Sequence, residues 1–155
     1  MLTEQENKEI LENEMESIKA DILLMYNASG KKTFGEFERG LHVEYNGLTG
    51  VLKGYTYLGG RRAGKQPPLK PILAWVIAKG LARVEEKAKA SSIAFLIARK
   101  IAEKGTNKEN HLQVYTKVIT PERIQSILDK ISSLNTNAFI QEVVTTITKS
   151  FNEFQ

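Results

Sequence analysis

The chain has 155 residues, a formal net charge of +4 and a mean hydropathy of -0.30, with 41% hydrophobic and 26% charged residues, which places it with ordinary folded domains and excludes a disordered or collagen-like chain. It contains no cysteine, which excludes disulfide scaffolds, thiolate zinc sites and cysteine nucleophiles. At this length a single domain is expected, burying roughly 70% of the unfolded chain's surface. The longest apolar run, Ile72 to Ala78, has seven residues, against the roughly 20 that span a bilayer. Thr3, Glu4, Gln5 and Glu6 stand where a leader would carry positive charge. Neither a membrane segment nor a targeting segment is expected.

Charge is uneven along the sequence. Residues 1 to 21 carry seven acids (Glu4, Glu6, Glu9, Glu12, Glu14, Glu16, Asp21) and two bases, a balance of -5, whereas residues 53 to 108 carry 13 bases and three acids, a balance of +10. A basic middle fits nucleic acid. An acidic end and a basic middle fit equally well a chain that pairs head to tail with its own copies, since complementary potentials orient association. An ordinary solvated surface is the plain reading.

Thr3-Glu4-Gln5-Glu6 matches a capping box, and Leu11, Met15, Ile18, Ile22 and Met25 recur at spacings of 4, 3, 4 and 3. This predicts a helix from about Glu4 to Ser29, stopped by Gly30 in a left-handed cap, with acids in the early turns where the helix dipole favours them. Its narrow stripe packs on the body of the domain or on a neighbouring subunit. From Thr33 to Leu58, short apolar runs broken by glycines predict strands. Leu41, Val43 and Tyr45 alternate with His42 and Glu44, Asn46-Gly47 is a hairpin turn, and Val51 to Leu58 alternates again. Gly59 to Gln66 offers no apolar face and is a loop.

Pro67, Pro68 and Pro71 precede the apolar run from Ile72 to Ala78, and Gly80 follows it, predicting a short, mostly buried helix with Trp75 as a core anchor. A second helix from about Glu85 to Lys104 has Ala90, Ile93, Ala94, Ile97 and Ile101 on one face, a basic opposite face, and Gly105 as its stop. After a polar loop from Thr106 to Asn110, a strand is expected from Leu112 to Val118. Thr120-Pro121-Glu122 then caps a helix carrying Ile124, Ile127, Leu128, Ile131 and Leu134. A break at Asn135 to Asn137 separates it from a last helix with Ile140, Val143, Val144, Ile147 and Phe151. The fold class is α+β, a small antiparallel sheet or hairpin packed against several helices. One domain is divided into an N-terminal helix (1–30), an α+β core (31–118) and a C-terminal helical pair (119–155).

Catalytic patterns fail on inspection. Gly59, Gly64 and Lys65 fit the start of a phosphate-binding loop, but Gln66 replaces the magnesium-binding hydroxyl and Pro67-Pro68 removes the N-H donors a phosphate needs. His42 and His111 have no partner at metal-ligand spacing. Ser91 and Ser92 lie within a helix, without a nucleophile elbow, and Glu85 and Glu86 point apart around a helix. No enzyme activity, cofactor or metal is expected. Tyr45, Tyr55 and Tyr57 have the chemistry to stack bases, but in a glycine-rich hairpin they serve to cover a small sheet.

The stretch from Gly54-Tyr55-Thr56-Tyr57-Leu58-Gly59-Gly60-Arg61-Arg62 through Ala63-Gly64-Lys65-Gln66-Pro67-Pro68, then Pro71-Ile72-Leu73-Ala74-Trp75-Val76 and Lys79-Gly80-Leu81, resembles phage tail-completion and neck proteins, the head-tail connectors. Ala94-Phe95-Leu96-Ile97-Ala98-Arg99-Lys100-Ile101-Ala102-Glu103-Lys104-Gly105-Thr106 looks like that family's second helix. The resemblance covers roughly residues 50 to 106 and departs after Thr106, where the usual proline and phenylalanine are absent. The Lys-, Asn- and Ile-rich composition suggests a crAss-like phage of gut Bacteroidota.

What the resemblance implies is a structural virion protein of the neck or tail, made in the bacterial cytoplasm and forming a ring of its own copies between the portal or capsid and the tail. Neighbouring portal, neck or tail proteins would be its partners. On this reading Arg61, Arg62, Lys65, Gln66, Pro67 and Pro68 form an assembly contact, with the acidic helix bearing Glu9, Glu12 and Glu16 as its partner in the next subunit or ring. Arg99 and Lys100 would meet packaged double-stranded DNA in the lumen without sequence preference. The competing reading is a small basic DNA-binding protein using Arg61, Arg62, Lys65, Arg99 and Lys100 on phosphates, with steep salt dependence. No helix-turn-helix, ribbon arm or RNA-binding motif accompanies it.

Overall fold

The computed structural model describes residues 2–55 and 57–153, with side chains as far as Ser150. The elements in chain order are α1 (Glu4–Ala28), α2 (Glu36–Gly40), β1 (His42–Asn46), β2 (Thr49–Lys53), α3 (Leu69–Ala78), α4 (Lys87–Lys104), α5 (Val114–Val118) and α6 (Pro121–Glu153), with 3-10 turns at Tyr57–Gly59 and Lys108–Asn110. The fold is α+β: long helices at both ends and a two-stranded antiparallel hairpin. Packing divides the chain into two compact units, one of residues 1–24, 41–53 and 115–155, the other of residues 25–40 and 54–114.

In the first unit α1 starts with the reciprocal cap its sequence spells. The Thr3 N-H donates to the Glu6 carboxylate at 2.7 Å, and the Glu6 N-H donates to the Thr3 hydroxyl oxygen at 3.2 Å. These bonds, the backbone one foremost, hold the Glu6 carboxyl below the usual carboxylate range. A carboxyl depressed in the folded state adds stability that is present above its unfolded pKa and lost as pH falls through the folded one. Acidification below about pH 4 should therefore fray the first turn. The amide protection factors of Thr3 and Glu6, taken against the intrinsic exchange rate at each pH, should fall with acid in the wild type, and Glu6→Ala will remove that pH step.

The stripe of α1 turns inward as its spacing requires: Ile18 and Ile22 are fully buried, together with Leu41 and Val118. The hairpin lies on α1, with Gly50 so close that a Cβ there would stand 3.1 Å from Met15. Its register pairs Val43 with Leu52 and Asn46 with Thr49. The two-residue loop is therefore Gly47-Leu48, with Gly47 at φ +57° in the first central position that favours glycine. Helix α6 runs antiparallel to α1 on polar rungs. Arg123 donates to Asp21 at 2.6 Å and to Ser17 at 3.2 Å, Lys130 pairs with Glu14, and Asn135 donates to Asn7 at 2.7 Å.

In the second unit Tyr26 and Phe37 are buried with ring centroids 4.5 Å apart, and burial pushes the Tyr26 phenol up. Helices α3 and α4 form the other core: Val76, Ala82, Ala90 and Ala94 are buried, with Ile72, Leu73, Ile77, Ile93 and Ile97 packed around them. The small residues of α4 let α3 approach closely.

Four expectations are corrected. Residues 36–40 of the expected strand region form α2, because one helical turn carries Phe37 to Tyr26; β2 ends at Lys53, so the alternation after Val51 is not continued, and Thr56 lies outside the described residues. Residues 114–118 are helix rather than strand: Val114 and Val118 are both buried, and a spacing of four puts them on one face of a helical turn. The expected C-terminal pair is one continuous helix of 33 residues. Asn135 does not break it, since its amide donates to the Ile131 carbonyl and to Asn7, and asparagine costs a helix only a fraction of a kcal/mol. The Phe151 side chain lies outside the described residues. Finally, α3 is not mostly buried. Only Val76 is fully enclosed, and Trp75 is 39% exposed because the face toward α4 centres one residue further on.

Candidate functional site

The basic loop after the 3-10 turn is clamped along its length to the end of α4 and the segment beyond. Leu112 N-H donates to the Leu58 carbonyl, Thr106 N-H to the Arg61 carbonyl and Gly64 N-H to the Ala102 carbonyl, each at 2.8 Å. Arg61 N-H in turn donates to the Thr106 hydroxyl oxygen at 2.9 Å. Two glycines make the approach feasible. A Cβ on Gly60 would fall 2.4 Å from the His111 ring, and one on Gly105 only 2.7 Å from the Arg61 carbonyl oxygen. The His111 ring is fixed by a 3.1 Å contact with the Thr106 carbonyl oxygen. Because the Gly64 N-H is engaged, it cannot cradle a phosphate as a phosphate-binding loop requires.

This clamp displays charge. Arg61, Arg62, Lys65 and Gln66 are exposed, while Pro67 is buried and anchors the loop ahead of Pro68, the residue before α3. Lys100 and Lys104 on the last turns of α4, with Lys108, line a groove of about 510 Å³ floored by Ile97 and Ile101. Among the described residues none of these six cations has a carboxylate within ion-pair distance. Lys104 and Lys108 were not singled out from the sequence. Their spacing from Lys100, four and eight residues on, was the legible sign of a shared helix face, although α4 ends between them.

The other sequence candidates are placed differently. Arg99 is paired with Glu103 at 2.9 Å and its charge is already answered. On α1, Glu12 pairs with Lys8 at 3.8 Å, Glu16 with Lys19 at 3.6 Å, and Glu9 accepts from Gln5 at 3.4 Å. These acids belong to the first unit and the cations of the clamp to the second. Exposed His42 and Glu44 lie on the outer face of the hairpin, where Lys53 foremost and then His42 hold the Glu44 carboxyl below the usual range.

Trp75, missed by sequence reasoning as a surface residue, walls a groove of about 360 Å³ with Phe34, Tyr57 and Pro71. Tyr55 and Tyr57, which follow the hairpin and belong to the second unit, pack against each other with ring centroids 5.4 Å apart and planes tilted by 40°. Tyr45 does lie in β1, its hydroxyl 3.5 Å from Glu16. Among the described residues no helix is long and apolar enough to cross a membrane, and no cluster of three metal-ligating side chains occurs.

No protein-family model, curated protein or solved structure matches this chain.

Proposed function

We propose that this chain is a structural subunit of a phage neck or tail, which assembles with its own copies into a ring joining portal or capsid to tail and acts in the virion rather than as a catalyst. The observation that carries this reading is the clamped basic surface. Six cations with no carboxylate of the described residues within ion-pair distance, two of them on a backbone fixed at both sides, form a surface suited to meet acidic groups of another molecule. Arginines on a fixed backbone pair with carboxylates bidentately at low entropic cost. On α1 of a neighbouring copy Glu9 has no cation within ion-pair distance among the described residues, and Glu12 and Glu16 hold theirs only at 3.8 and 3.6 Å, so that face can supply such groups, with neighbouring portal, neck or tail proteins as further partners.

The same cations would also meet phosphates, the basis of the second reading, a small DNA-binding protein. Pairing of Arg99 with Glu103 removes one of its expected contacts, leaving Lys100 as the lumen-facing candidate. Light scattering on the purified protein, alone and with double-stranded DNA at two salt concentrations, separates the two. A closed oligomer indifferent to DNA supports the ring; a small species whose mass rises with DNA and falls with salt supports the binder. Within the ring reading, Arg61→Glu with Arg62→Glu should abolish the closed oligomer while leaving the melting temperature unchanged. Assembly that survives this charge reversal would sink the assigned role of the loop.

A further inference from the structure

Helix α6 has two apolar faces on opposite sides. At 100° per residue, Ile127, Ile131, Leu134 and Ala138 fall on one side of the helix, the side that carries Asn135 toward α1. Past Phe139 the apolar positions Ile140, Val143, Val144 and Ile147 fall about half a turn away. The last rung from α1 itself joins Asn7 to Asn135, and the N-terminal amine holds the Glu142 carboxyl below the usual range from the side opposite the stripe, so roughly the three turns of α6 past Glu142 have no α1 turn beside them. Every residue from Gln141 to Ser150 is exposed.

We infer that this projecting segment is a self-association seam, occupied by the same segment of other copies of this chain. Its chemistry suits an identical helix. Ile140, Val144 and Ile147 follow the 4-3 spacing of a helix-packing seam, and β-branched residues at both of its positions favour assemblies larger than dimers. Between Phe139 and Ser150 the two charged residues, Glu142 and Lys149, lie on the opposite side, so the stripes of identical helices meet without like-charge repulsion. The polar residues flanking the stripe are already satisfied: Thr148 donates to the Val144 carbonyl at 2.8 Å and Ser150 to the Thr146 carbonyl at 3.0 Å. Burying them beside another helix therefore orphans no hydroxyl.

The area argues for several copies rather than two. The four apolar side chains are each 38% to 53% exposed and together leave on the order of 300 Å² of apolar surface uncovered. A pair of such stripes buries about half of the ~1,200 Å² that a stable two-body interface needs. In a cyclic assembly each copy makes the contact twice, with Val143 on one flank of the stripe and Val144 on the other. This inference rests on the assembly reading but fails separately from it.

The test is the mass of the full chain across a concentration series, by light scattering and native mass spectrometry, for the wild type, Ile147→Glu, Val144→Glu and the charge-matched control Thr145→Glu on the opposite side. The seam variants should shift the wild-type oligomer to monomer at least tenfold more readily on dilution, with helix content and melting temperature unchanged, and the control should match the wild type. Seam variants that keep the wild-type mass, a control that dissociates equally, or a wild type that stays monomeric throughout would each overturn the seam. An open-ended series of masses that collapses only in the seam variants would uphold the seam and overturn the closed ring.

Discussion

Gly105→Ala is expected to destabilise the second unit by about 3 kcal/mol, a backbone penalty of the size carried by conformations nearly reserved for glycine. Gly105 has φ +76° and ψ -178°, and the new methyl would also sit 2.7 Å from the Arg61 carbonyl oxygen and 3.0 Å from the Ala63 nitrogen, backbone atoms that cannot rotate away. For a chain of this size the melting temperature should fall by about 10 °C. Gly59→Ala is the control. Nothing lies within 4 Å of a Cβ there, its φ is not positive, and its change should stay within about 0.5 kcal/mol. Equal melting temperatures for the two variants would show that the clamp does not depend on the close approach at Gly105. Because that approach holds the Arg61 backbone against Thr106, the ring reading proposed above expects the Gly105 variant to lose the closed oligomer as well.

Phe37→Ala should cost about 4 kcal/mol, as expected when a fully enclosed aromatic ring is truncated. Phe37 is the ring that attaches α2 to the unit. A helix of five residues has no stability of its own, so its place depends on the side chain packed against Tyr26 at 4.5 Å. The titration of Tyr26 gives a second readout. Burial holds its phenol above the ordinary range, so the folded state is favoured below the unfolded tyrosine pKa, near 10, and loses that contribution as pH rises through the folded one. Water entering the space left by Phe37 should bring the Tyr26 titration back toward its ordinary range. An unfolding midpoint in urea that matches the wild type would refute the assignment of this ring as the anchor.

What the sequence announced correctly was written in local chemistry. Thr3 and Glu6 cap α1 through bonds between residues three apart; the hairpin turns at Gly47; Gly80 and Gly105 follow the helices they were expected to stop; Thr120 accepts from the Arg123 N-H at 3.2 Å. The misreadings arose where a distant partner decided the outcome. Val114 and Val118, with Tyr115 and Thr116 between them, have strand-like composition, yet burial of both valines selects a helical turn. Asn135 carries the composition of a break, and its bond to Asn7, 128 residues away, makes it a rung instead. Of the candidate site, Arg61, Arg62 and Lys65 were legible from their glycine-rich setting. Their clamp was not, since neither Gly105 nor Thr106 shows in sequence that a loop 45 residues earlier lies against it.

The separations of these bonds also set an order of events during synthesis. Every bond of the loop clamp lies between residues 58 and 112, so the clamp has its partners once residue 112 is made. The first unit cannot close its rungs until Arg123, Lys130 and Asn135 are available to Asp21, Glu14 and Asn7. Closing such long separations carries a loop entropy that is met only when the contacts form together. Folding during translation therefore closes the loop clamp first and leaves α1 waiting for α6. The basic face is thus finished while the end of α6 is still being made, so on the seam reading proposed above a nascent chain would not meet its copies through that end until the clamp has closed.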